Sequence, residues 1–199
     1  MNSYLNKSTG DLLEELWKFS KQTEKMFEKV SLPIDIVEFA RKLGFEIVYD
    51  EIAQTEQQTF GVATPKEIHV NKNLKYKEQR WAIAKAMAYF LNNSNQKEML
   101  FFVQSPYFVS DNVDEFYTDV MAILLLLPIT LFKQEVSKYI DRDDLLQRLS
   151  DISQIPIFQL SIGYQFIKQM LSFKRQKDFE ECHYDVESFT VDEYENIYI

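Results

Sequence analysis

Apolar residues recur at helical spacing from the first third of the chain. STGDLLEELWKFSKQTEKMFEKV sets Leu12, Leu13, Leu16, Phe19, Met26 and Phe27 near a 3.6-residue repeat, with Ser8 or Thr9 as the N-cap. LPIDIVEFARKLGFEIVYDEI follows. Asp35 and Glu38 form a capping-box-like pair, Ile36, Val37, Phe39, Ala40 and Leu43 make an apolar face, and Gly44 stands where a C-cap glycine belongs. FEIVY, rich in β-branched and aromatic residues, reads as a strand. TFGVA and EIHVN, around Thr64-Pro65-Lys66, read as a hairpin.

Residues 76 to 92 predict a helix, polar in YKEQR and apolar in WAIAKAMAYFL. A loop with Ser105 and Pro106 comes next. DNVDEFYTDVMAILLLL predicts a second helix with acids in its first turn, where they complement the dipole. Pro128 ends it. The longest apolar run, VMAILLLLPITLF, contains that proline and is too short to cross a bilayer, so it reads as a buried helix and the turn that closes it. DRDDLLQRLSDISQIPIFQLSIGYQFIKQMLSFK predicts two helices joined at SQIP. The order of elements defines an α+β fold, with a small antiparallel sheet packed on helices and a helical C-terminal segment.

Composition narrows the function. Hydrophobic residues make up 46% and aromatics 15% of 199 residues, enough for a packed core. A net charge of −9 argues against non-specific binding to phosphate backbones. Much of it sits in the tail DFEECHYDVESFTVDEYENIYI, with eight acids and no base. The single cysteine, Cys182, cannot form an internal disulfide and suits a reducing cytosol. No segment near the N-terminus reads as a signal peptide. A cytoplasmic protein without a membrane role is the expectation.

The chemistry concentrates in KAMAY, residues 85 to 89, within RWAIAKAMAYFL. Together with LPIDIVEFARKLGFEIVY, FGVATPKEIHVNKNL and DEFYTDVMAILLLLP, this frame resembles the ImmA/IrrE family of zincin-like metallopeptidases, over about residues 30 to 170. The resemblance implies a zincin-like core at 31–135, after an N-terminal helix at 1–30. A helix-turn-helix-like segment at 136–175 and the acidic tail at 176–199 follow. It also implies an H-E-x-x-H helix, whose two imidazoles grip zinc from one face and whose glutamate serves as general base.

The positions that carry this chemistry are changed. Lys85 and Tyr89 stand at the two ligand positions and Ala86 at the general-base position, while Ala88 replaces the glycine. An ammonium has no lone pair for a metal, and alanine cannot take a proton. Tyrosine ligates only as phenolate, which forms near pH 10. Neither His69, in EIHVN, nor His183, in the tail, has a ligand partner nearby in sequence; His69 reads as an edge or surface strand residue.

Glu115 falls at the position of the family's third zinc ligand, and Asp119 shares its helix face one turn on. The alternative for both is an acid that faces solvent and complements the dipole. Lys85 either pairs with Glu115, its ammonium standing where zinc would, or snorkels to solvent. The resulting expectation is a catalytically inactive, intracellular regulatory protein of phage or mobile-element type, with no metal or cofactor. It would bind a protein partner such as a helix-turn-helix repressor. Two alternatives stay open: an active metallo-endopeptidase with an atypical metal site that cleaves a repressor, and a helix-turn-helix DNA-binding regulator. For the latter, Gln159, Gln165, Lys168 and Gln169 supply few groups for a recognition helix.

Overall fold

A computed structural model describes residues 8–27, 31–52, 59–92, 101–104, 113–139 and 143–176. The loop at Ser105 and Pro106, and the tail with Cys182 and His183, lie outside the described residues. The first helix, α1 (Thr9–Met26), starts from a capping box in which Ser8 Oγ accepts from the Asp11 amide and the Asp11 carboxylate accepts from the Ser8 amide. In α2 (Ile36–Lys42) the Asp35 side chain accepts from the Glu38 amide. Gly44 ends that turn at φ +88°, in the left-handed region that a side chain would strain. Ile36, Phe39 and Ala40 turn inward, as the apolar spacing predicts.

Four strands form one sheet in the order β1-β3-β2-β4: β1 (Glu46–Asp50), β2 (Thr59–Ala63), β3 (Glu67–Asn71) and β4 (Phe101–Gln104). The hairpin β2–β3 is where the sequence places it. The sheet is mixed rather than antiparallel, because β1 lies beside β3 and runs parallel to it. The step from β1 to β2 skips one position, so a hairpin that is antiparallel within itself presents β3 to β1 in the same direction. The edge strand β4 pairs antiparallel with β2 inside a stretch the sequence reads as loop.

Helix α3 (Tyr76–Asn92) packs on β2 and β3, and α4 (Val113–Leu126) packs on α3. Pro128 ends α4, as expected, but a helix follows rather than a turn: α5 (Ile129–Tyr139), bent 75° from α4. Its first amides find partners on α1. Ser20 Oγ accepts from Ile129 N at 3.0 Å, and Glu24 Oε1 accepts from Thr130 N at 2.8 Å. Burial pushes the Glu24 carboxyl up, but these donors and Lys21 hold it below its ordinary value. Helices α6 (Leu145–Ser153) and α7 (Ile157–Gln176) meet at SQIP, as predicted.

One buried cluster runs from Leu12 on α1 to Met170 on α7, so the helices at both ends share the core of the sheet and α3. On α7, Gly163 presses against α4; a Cβ there would stand 2.2 Å from Ile123 Cδ1. Among the described residues, no single helix is long and apolar enough to cross a membrane.

Candidate functional site

Helix α3 is buried on every side from Arg80 to Phe90. Such an all-round apolar helix admits a charge only with partners, because removing an ion from water costs several kcal/mol. Lys85 is 5% exposed. Its Nζ lies 3.0 Å from Glu115 Oε1 and 2.8 Å from Asp119 Oδ1, both on α4. The two acids are one helical turn apart, which turns both carboxylates toward the same point on α3.

The sequence leaves two readings for Lys85, and the structure settles them: the ammonium stays inside and pairs. Glu115 does not merely complement the dipole, and Asp119 is a full partner rather than a neighbour. Burial opposes the charge on Lys85, but the two carboxylates outweigh it and raise its pKa above the ordinary lysine value. Burial also pushes the Asp119 carboxyl up, against the pull of Lys85. About a quarter of the Asp119 side chain is exposed, yet its Oδ1 atom is sealed from solvent, and that atom sets the balance. With all three groups ionised, the cluster carries one net negative charge.

Ala86 and Ala88 are fully buried and only fill space. Tyr89 is 9% exposed and packs edge-to-face on Phe90 at 5.2 Å. Burial raises its phenol pKa, which moves it further from the phenolate that a metal would need. These groups do not suit zinc: a cation already stands between the carboxylates, Ala86 offers only a methyl group, and the Tyr89 phenol is held protonated at neutral pH. Among the described residues, no group of three or more His, Cys, Asp or Glu side chains is placed to hold a metal ion.

His69 is on an interior strand, not an edge, with its side chain about one-third exposed. Its Nδ1 lies 2.5 Å from Asp50 Oδ2 on β1 and its Nε2 3.3 Å from Glu67 Oε2 on its own strand. The bond to Asp50 is the main cause that raises the imidazole pKa; partial burial opposes it and Glu67 adds to it.

On α7 the groups weighed for base reading divide. Gln165, Lys168 and Gln169 are exposed, and the Lys168 ammonium lies over the Tyr164 ring at 5.3 Å. Gln159 is 4% exposed, with both amide atoms sealed in the protein, so it is not available to a groove.

One residue escapes sequence reading altogether. Arg80 is 4% exposed, although it sits in the polar start of α3. Its Nη2 donates to Ser153 O at 3.4 Å, at the end of α6, and its guanidinium lies 5.6 Å from the Tyr76 ring centre.

No protein-family model matches the chain, and no curated protein matches it.

Proposed function

We propose that this chain is a non-catalytic binding protein built on a metallopeptidase-like frame of the ImmA/IrrE type, acting in the cytoplasm on a protein partner such as a helix-turn-helix repressor. The observation that carries the reading is Lys85 Nζ, 3.0 Å from Glu115, which stands at the resemblance's third-ligand position, and 2.8 Å from Asp119 one turn on. One monovalent ammonium replaces the dication, and α3 and α4 stay joined without it. The order α2, β1, hairpin, α3, α4, with β4 between the last two, supports the reading. What the site retains is shape: a packed helix pair with an acid about one-third exposed, Glu115, at its margin. A protein that binds without cutting needs that shape and not a metal-activated water.

The test is elemental analysis of the purified protein after equilibration with zinc and gel filtration, together with incubation against a helix-turn-helix repressor if the neighbouring reading frame encodes one. The expected result is far less than one zinc per chain and an uncleaved repressor that co-elutes. Stoichiometric zinc with cleavage would overturn the reading.

A further inference from the structure

The acids of this chain are unevenly placed. It has 31 acids against 22 bases, yet α7 carries no acid in its 20 residues while it holds Lys168, Lys174 and Arg175. Lys168 is exposed, makes no ion pair among the described residues, and rests on the Tyr164 ring at 5.3 Å. The same arrangement recurs on the neighbouring helices. Trp17 of α1 has two ammoniums over its indole, Lys133 of α5 at 4.9 Å and Lys21 at 5.5 Å. The two spots join through α5, where Phe132, next to Lys133 in the chain, packs on Tyr164 with ring centres 5.7 Å apart. Lysines laid on aromatic rings therefore mark one face built by α1, α5 and α7. Acids on α1 and α5 are already engaged: Glu14 with Lys18, Glu24 with Lys21 and Glu135 with Lys138.

A ring holds an ammonium in place from one side, and the ammonium keeps N–H donors for an oxygen acceptor. The complement of such a face is a segment that brings carboxylates together with rings of its own. The chain contains one. Residues 178–199 hold eight acids and no lysine or arginine, nearly all of the net charge of −9. Phe179, Tyr184, Phe189 and Tyr194 recur every five residues within it, each no more than two residues from an acid. The segment follows directly on α7, which ends at Gln176. The way back from Gln176 to Tyr164 is about 18 Å of helix, and the segment in extended form reaches roughly 70 Å. An exposed ion pair alone shifts an equilibrium by about fivefold at most. Tethering raises the effective concentration to about the millimolar range, so several such weak contacts suffice together.

We propose that residues 178–199 fold back over the face of Trp17, Lys21, Lys133, Tyr164 and Lys168. Their carboxylates meet the ammoniums, and their rings lie beside the partly exposed indole and phenol. The segment is then an internal occupant of this surface, and an acidic partner that uses the same face has to displace it. Docking there requires nothing of the Lys85 cluster.

The experiment attaches a nitroxide to Cys182, the single cysteine, in the full chain, and reads paramagnetic broadening in nitrogen–proton NMR. The expected result is broadening at the Trp17 indole N–H and at the amides of Lys133 and Lys168, but not on α2, which packs on α3 and β1 instead. Lys133→Glu with Lys168→Glu, on two exposed side chains, lowers the docked population by about fivefold or more, because each reversal turns attraction into repulsion. Lys133→Gln with Lys168→Gln gives a smaller loss in the same direction. Salt at about 1 M, where screening acts within about 3 Å, weakens the broadening as well. Broadening that is uniform over the surface, lies on another face, or survives both double variants would overturn the proposal. Broadening passed from a nitroxide-bearing chain to an isotope-labelled chain without nitroxide, in a mixed sample, would assign the face to a second copy and overturn docking within one chain.

Discussion

Lys85 and Arg80 are both buried cations on α3, at 5% and 4% exposure, five residues apart. Lys85 faces two carboxylates across α4, at 3.0 Å and 2.8 Å. Arg80 has a backbone carbonyl at 3.4 Å and an aromatic ring. The first cation is over-compensated from within the chain and the second under-compensated. Because a buried charge costs several kcal/mol unless it is matched, the two positions ask opposite questions. At Lys85 the question is what the charge holds together, and the answer is α3 and α4. At Arg80 the question is what offsets the charge, and the fold answers with a carbonyl at the end of α6 and the face of the Tyr76 ring.

The largest effect should come from Lys85→Met. It leaves two carboxylates facing each other, and Glu115 is exposed enough for water to relieve part of the cost. Urea denaturation at neutral pH should show a loss of about 3 kcal/mol. The deficit should shrink as the pH falls into the carboxylate range, since protonation removes the repulsion. An unchanged midpoint would erase the contrast between the two cations.

Asp119→Asn leaves Lys85 with Glu115 alone, a neutral pair. Its cost should be about 1 kcal/mol, because the lost attraction is offset by the removal of a carboxylate whose pKa burial has raised. Arg80→Met orphans no carboxylate and loses one long hydrogen bond. Its cost should stay below about 1 kcal/mol, well short of the Lys85 value, by the same denaturation assay. A loss as large as that of Lys85→Met would mean that Arg80 is fully compensated inside the fold.

His69 extends the comparison to a cation with two acids but a solvent-facing side chain. Its raised pKa stabilises the fold fully below the ordinary value of 6.5, and this contribution fades as pH rises through the higher folded value. Solvent screening limits it to about 0.5 kcal/mol. His69→Gln should therefore flatten the stability profile only on the side above about pH 6.5. Lys85, also raised, contributes below its ordinary 10.5 and loses this only as pH passes its folded value, so its limb lies in strong alkali.

Much of this was legible in local pattern. The apolar block of α3, bounded by polar YKEQR, marks residues 76 to 92 because its ends are set by its own composition. Lys85 opposite Glu115 followed from helix faces and the frame of the resemblance. Other parts depend on distant partners. The strand β4, FFVQ, is four residues without a turn signal of its own and exists because β2 offers an edge. Helix α5 begins directly after Pro128 because Ser20 and Glu24 on α1 receive its first amides, more than a hundred residues back in the chain. The direction of β1 relative to β3 is set by which edge of the hairpin it meets. The burial of Arg80 requires α6 to arrive over it, and nothing near Arg80 in sequence announces that.

The central claim is that the Lys85 ammonium, not a metal, joins α3 to α4 through Glu115 and Asp119. A double-mutant cycle on Lys85→Met and Glu115→Gln, read by urea denaturation, tests it most directly. A coupling of about 1 kcal/mol or more, with the double variant more stable than the sum of the single losses predicts, is the expected result. Additive losses within about 0.3 kcal/mol would contradict the account.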